Sequence, residues 1–265
     1  MLTKTPSTFK TCASCDVRHK SICDPLCQED VSRVLSYKKE ERSYPAKEDI
    51  FLQGSHRTEL MTILEGWAFN YETTENGNRQ ITKFTFPGDF VGFSADADVP
   101  LAYSVQTLTP VRVCVFDHDK FYELLHNHSG LAFRLIWMVS REEVRLQKLL
   151  TMVSRRPALD RVALLLLDII CRIEGCSRSL VSGRKVDLPI TQEHMADALG
   201  LTPIHVNRML QKLRKAGIIS LEHGVLRILD PQRITDNWGL EHEAEGYKVS
   251  QPGQTNAGNL RVILD

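Results

Sequence analysis

Four cysteines crowd the amino end of the chain as Cys12-x2-Cys15-x7-Cys23-x3-Cys27. A fifth, Cys114, stands alone in the run Val111-Arg112-Val113-Cys114-Val115-Phe116. Thiolates two residues apart can grip one metal centre from a single loop, and a third and fourth brought from further away complete the coordination. Three chemistries fit the pattern. The four amino-terminal sulfurs could hold zinc in a tetrahedral all-thiolate site without Cys114. A pair of them could form a thiol switch. A centre shared with Cys114 would tie two distant parts of the chain together, whereas Cys114 by itself could also be a small hydrophobe in a buried strand. Cys171 and Cys176, near a helix end, read as structural.

These sulfurs must be positioned by the elements around them. Residues 1–30 form a polar, cysteine-rich segment. From Tyr37 to Phe116 the text becomes short alternating runs cut by turn residues, such as Gln53-Gly54, Glu65-Gly66, Asn76-Gly77 and Pro87-Gly88-Asp89. Short strands at regular spacing predict a β-roll, and 31–130 is assigned to it. Ala132 to Ser154 then reads as one long helix, with Leu135, Met138 or Val139, Leu146, Leu149 or Leu150 and Val153 at roughly heptad spacing. It is assigned to 131–156 as a dimerisation helix. Pro157 breaks it, and a helix from about Leu159 to Glu174 opens a second domain over 157–240. Residues 241–265 read as a loose tail.

Within that second domain, Thr191 to Gly217 reads as a helix-turn-helix. Ala196 is small where two helices would cross, and Gly200 suits a left-handed turn. Val206 seals the second helix against the first. Thr202-Pro203 supplies an N-cap followed by proline at the first helical position. Lys212, Arg214 and Lys215 load the far end with positive charge, and Gly217 can close it. Ile218 to Leu229, with Glu222-His223-Gly224 at its middle, reads as a two-stranded wing. Such a motif lays one helix in the major groove of DNA. Ile204, His205, Asn207 and Arg208 fall near the end that enters the groove, where Arg208 can be bidentate to guanine. Gln192, Thr202 and Lys212 are placed for backbone contacts.

The totals narrow the function further. The 265 residues carry a formal net charge of +0 and a sequence pI of about 7.1, so any DNA binding must come from a local basic face. Nothing resembles a signal peptide, and the aliphatic run from Val162 to Leu167 is far short of the ~20 residues a membrane span needs. A cytoplasmic protein without a membrane partner is expected, in which cysteines serve metal or redox chemistry. No nucleophile–base motif appears. Asp117, His118 and Asp119, the nearest thing to a metalloenzyme site, read as a solvated helix cap.

A β-roll, a long pairing helix and a winged helix-turn-helix in this order resemble the Crp/Fnr family of bacterial transcription regulators. The marks are Gly66-Trp67, Pro87-Gly88-Asp89-Phe90 and the segment TQEHMADALGLTPIHVNR. The resemblance implies an α+β chain: an amino-terminal double-stranded β-helix (a jelly roll like cyclic-nucleotide-binding domains), a dimerisation helix and a carboxy-terminal winged helix-turn-helix. It also implies a homodimer on a double-stranded operator, with RNA polymerase as a partner and no enzymatic activity. The cysteine pattern is similar to the oxygen-sensing Fnr branch, which implies a 4Fe–4S cluster on Cys12, Cys15, Cys23 and Cys114, with Cys27 spare; zinc is the alternative. Relatives that bind cAMP carry Gly-Glu and then an arginine for the phosphate. Here Phe93 follows Gly92, and Val99 to Ser104 has no arginine, so no cyclic nucleotide is expected. The family's usual Glu-x-x-Ser-Arg reading triad is here Ile204-x-x-Asn207-Arg208, which keeps only the arginine.

Overall fold

A computed structural model describes residues 12–24, 28–56, 58–93, 99–174 and 185–238. The roll is built from β1 (Lys38–Tyr44), β2 (Asp49–Phe51), β3 (Glu59–Glu65), β4 (Ala68–Thr73), β5 (Arg79–Thr85), β6 (Phe90–Val91), β7 (Ser104–Thr107) and β8 (Val111–Asp117). They pair antiparallel into two sheets ordered β1-β8-β3-β6 and β2-β7-β4-β5. The chain crosses repeatedly from one sheet to the other, which winds the jelly roll expected from the spacing of the strands. Gly66 turns between β3 and β4 at φ 86, where a Cβ would lie 2.1 Å from the Pro110 carbonyl oxygen.

The two-residue period of a strand decides where Cys114 points. Val111, Val113 and Val115 fill the interior between the sheets, with Met61, Ile63, Val91 and Val105. Cys114 and Phe116 therefore face the outside of the roll. That outer face is covered by a second apolar cluster containing Ile22, Val31, Val34, Phe121, Leu124, Leu131 and Leu135. The covering pieces are the cysteine segment, α1 (Gln28–Tyr37), α2 (His118–Asn127) and the first turns of α3 (Ser129–Arg155).

Two of these helices differ from the sequence reading. Val31 and Val34 give α1 an apolar face too short to stand out in a polar stretch. Around Asp117 the solvated cap holds in part, since Asp117 is the N-cap of α2 and Asp119 is exposed, but not at His118. His118 is buried and packs 4.6 Å from the Tyr122 ring, while Asp117 accepts from Lys39 Nζ at 2.6 Å.

The stripe on α3 splits in two. Leu135 and Met138 pack toward the roll, whereas Phe133, Ile136, Val139, Leu146 and Leu150 stay exposed. After α4 (Ala158–Glu174) come β9 (Lys185–Asp187), α5 (Gln192–Leu199), α6 (Pro203–Lys215), β10 (Ile219–Glu222), β11 (Val225–Ile228) and α7 (Pro231–Trp238). The wing is three-stranded, because β9 adds to the far edge of β11. Its hairpin turns through His223 and Gly224, both at positive φ, as a type I′ turn requires. The core of this domain runs on into the roll, where Phe69, Ile81, Phe84 and Phe86 join Leu166, Met195, Leu199 and Leu210 in one cluster. Arg79 Nε donates to Asp197 at 2.7 Å across the same boundary.

Candidate metal centre and nucleic-acid interface

Cys12, Cys15, Cys23 and Cys114 line one cavity between the cysteine segment and the outer face of the roll. Cys12 opens a 3-10 turn (Cys12–Ser14), and a second turn (Arg18–Lys20) carries the chain back across the roll. Gly88 allows that close passage, since a Cβ there would stand 2.7 Å from Lys20 Cβ. Cys23 is then fixed in a compact turn. Its N–H donates to Ser21 Oγ at 3.2 Å, and Asp24 N–H donates to the Ser21 carbonyl at 3.3 Å. Arg134, buried on α3, closes on the same turn.

The chemistry of the cavity suits soft-metal ligation. All four cysteines are free thiols. Val17, Leu64 and Phe116 give it apolar walls. Burial pushes the Cys23 thiol up to about 12 and raises Cys12 and Cys114 as well. Lys38 lines the cavity and opposes the rise at Cys12 and Cys114; its Nζ donates to Glu41 at 2.5 Å. Buried thiols of this kind stay protonated at neutral pH unless a cation replaces the protons, as a coordinated metal does. Among the described residues no group of three or more His, Cys, Asp or Glu side chains is gathered to hold a single ion. The sulfurs line the walls of a shared space. Four free thiols on two segments around one space are donors of the kind that zinc or an iron–sulfur group takes. Cys27 and Cys176 lie outside the described residues, and Cys171 is packed against the core of the second domain.

The second site is a surface. Thr191 caps α5 by accepting from His194 N–H at 3.2 Å, and His194 Nδ1 accepts from Thr191 N–H in return. This is a capping box with histidine in the place usually held by Glu or Gln. Gly200 ends α5 at φ 62 in the left-handed region. Thr202 Oγ1 accepts from His205 N–H at 3.2 Å, with Pro203 at the first helical position of α6. Ala196 and Val206 are buried where the two helices meet. Ile204, Arg208 and Lys212 then follow at four-residue spacing along the exposed face of α6, with Ile204 75% exposed. Gln192 and Thr202 are exposed at the amino ends of α5 and α6, while His205 and Asn207 are half-buried, Asn207 accepting from Gln211 at 3.4 Å. All seven candidate DNA contacts thus belong to one two-helix unit.

A model of the Crp-like helix-turn-helix domain matches residues 160–236, and one of the cyclic nucleotide-binding domain matches residues 41–128. The transcriptional activator protein FnrL of Cereibacter sphaeroides is 30% identical over 223 residues, which cover 83% of this chain and 88% of FnrL. The chain belongs to the Crp/Fnr family of transcription regulators. The nitrogen fixation regulation protein FixK of Bradyrhizobium diazoefficiens is 28% identical over 84% of this chain and 92% of its own length. In fold, the structure of FixK2 from Bradyrhizobium japonicum superposes with a TM-score of 0.66 at 23% identity, over 74% of this chain and 96% of that one.

As a Crp/Fnr regulator the protein binds DNA and is not an enzyme. No helix among the described residues is long and apolar enough to cross a membrane. Two side chains of this regulator's cysteine site escaped the sequence reading. Arg134 carried a faint signal, a charge between Leu131 and Leu135 on an apolar face. Lys38 carried none, because only the folded roll turns it toward Cys12 and Cys114.

Proposed function

We propose that this regulator binds its operator as a homodimer in the cytoplasm, and that DNA binding is gated by an oxygen-labile 4Fe–4S cluster held by Cys12, Cys15, Cys23 and Cys114. The observation that carries this reading is the single cavity shared by three amino-terminal thiols and one thiol on β8. When bound, the cluster supplies a covalent tie between the two segments that oxygen can dismantle. Cys12, Cys15 and Cys23 anchor the segment; Cys114 anchors it to the outer face of the roll. Val17, Leu64 and Phe116 restrict water, and Lys38 offsets negative charge on the thiolates.

The tied segment packs on α3 in the same apolar cluster as Leu131 and Leu135, so its order biases the helix that pairs. Pairing through Ile136, Val139, Leu146 and Leu150 would set two copies of α6 against the two halves of an operator. In each half-site Arg208 reads a base, Ile204, His205 and Asn207 face the groove, and Gln192, Thr202 and Lys212 hold the backbone. RNA polymerase is the expected protein partner. The roll takes no cyclic nucleotide in this reading, since Phe93 follows Gly92 and Val99 to Ser104 offers no guanidinium for a phosphate.

Anaerobic purification with iron, sulfide and zinc analysis and an absorption spectrum tests the proposal. A brown protein that bleaches in air is expected, and Cys114→Ser should purify without the chromophore. A colourless protein holding one zinc that survives Cys114→Ser would replace the cluster with a zinc site on the amino-terminal thiols.

A further inference from the structure

The cysteine segment and the pairing helix meet at one side chain. Arg134 is 4% exposed, among the apolar side chains that cover the outer sheet. Its Nε donates to the Ser21 carbonyl at 3.4 Å, and its Nη1 stands 3.4 Å from Asp24 Oδ2. The first contact is a hydrogen bond and the second an ion pair, and they fall at the two ends of the turn that carries Cys23. The Ser21 carbonyl also takes the Asp24 N–H, and Ser21 Oγ takes the Cys23 N–H. On its other side the guanidinium lies 4.2 Å from the centre of the Trp137 ring, with Arg141 at 4.6 Å from the same ring. Phe133 and Ile136, both exposed, flank this stack on α3.

A guanidinium buried to this extent is tolerated only while its charge has partners. Burial disfavours the charged form of Arg134, and Asp24 supports it. If the Ser21–Asp24 turn moves, Arg134 loses its one hydrogen bond and its ion pair at once and must swing toward water. That motion takes it off Trp137 and disturbs the turns of α3 that present Phe133 and Ile136.

We propose that Arg134 is a positioning residue that clamps the Cys23 turn onto α3, so that the order of the cysteine segment and the packing of the pairing helix change together. The link to sensing rests on Cys23 being a ligand, as proposed above. The clamp itself rests only on the contacts of Arg134.

Two measurements on the full chain test the clamp and the link. In metal-free protein, iodoacetamide labelling followed by peptide mapping gives the alkylation rates of Cys23 and Cys171. Arg134→Leu should speed labelling of Cys23 at least tenfold and leave Cys171 unchanged. Asp24→Asn, which keeps the shape of the turn, should give a smaller acceleration, and the double variant should be no faster than Arg134→Leu alone. Equal Cys23 rates in wild type and Arg134→Leu would overturn the clamp. If Cys171 also accelerates in Arg134→Leu, that variant has unfolded, and Asp24→Asn decides by the same criterion.

Sedimentation of anaerobic and air-exposed samples then reads the link. The oxygen-dependent change in dimer dissociation constant should shrink at least fivefold in Arg134→Leu, and an undiminished change would overturn the coupling. A colourless anaerobic protein would defeat the cluster reading separately and leave the alkylation result standing.

Discussion

Truncating Leu150 offers a direct test of the proposed pairing face, because α3 displays two kinds of leucine. Leu150 is 70% exposed, while Leu135 is 9% exposed against the roll. Leu150→Ala removes about three carbons at ~0.8 kcal/mol each, and the exposed share of that area is what a partner can cover. This comes to about 1.5 kcal/mol per copy, or about 3 kcal/mol for a two-fold dimer, roughly a hundredfold in dissociation constant. Sedimentation equilibrium on the wild type and variant reads that change, and far-UV circular dichroism melting checks that the fold is unaltered. Leu135→Ala should do the reverse. It opens a cavity under the helix, lowers folding stability by ~2–5 kcal/mol and leaves the dissociation constant of the folded protein nearly unchanged. A dimer indifferent to Leu150→Ala, or weakened chiefly by Leu135→Ala, would refute the assignment of the exposed stripe to pairing.

Other consequences follow from the same geometry. Glu143 stands exposed on this face between Val139 and Leu146, so two copies would oppose like charges; Glu143→Leu should tighten pairing at least tenfold by sedimentation. Arg208→Ala should cost ~1–3 kcal/mol on the specific operator and relax preference at one base pair per half-site, whereas an equal loss on random DNA in a binding-site selection would contradict base reading. Burial would raise the Glu142 carboxyl, but Lys83, Arg172 and Arg145 outweigh it and hold it at about 2. A carboxyl depressed by folding stabilises the protein above its unfolded value and loses that contribution as pH falls. The α3–β5 contact, in which Lys83 Nζ lies 3.0 Å from Glu142, should therefore weaken between about pH 4.5 and pH 2. Glu142→Gln should flatten that part of the acid denaturation curve.

The helix-turn-helix was legible because its signals are local. A cap, a left-handed glycine and small or branched residues at a helix crossing act within a few residues of one another, and Thr202, Gly200, Ala196 and Val206 each sit where those rules put them. The roll was legible as a class, since turn residues and alternating runs announce short strands. Its covering helix α1 was not, because two valines in a polar stretch become a face only when a partner surface exists. On α3 the heptad pattern was real but undivided, as periodicity marks an apolar stripe without saying which part meets the roll.

The sequence by itself determined the β-roll as a class, the helix-turn-helix and the set of sulfurs able to ligate, because each depends on residue types at short spacing. Only the tertiary structure decided that Cys114 faces outward to line one cavity with Cys12, Cys15 and Cys23, and that Arg134 joins their segment to α3. The alternation of β8 fixes that Cys114 lies opposite Val113 and Val115, but which side is interior depends on how the two sheets close. Contacts between positions so far apart along the chain exist only after packing has chosen one arrangement of those surfaces.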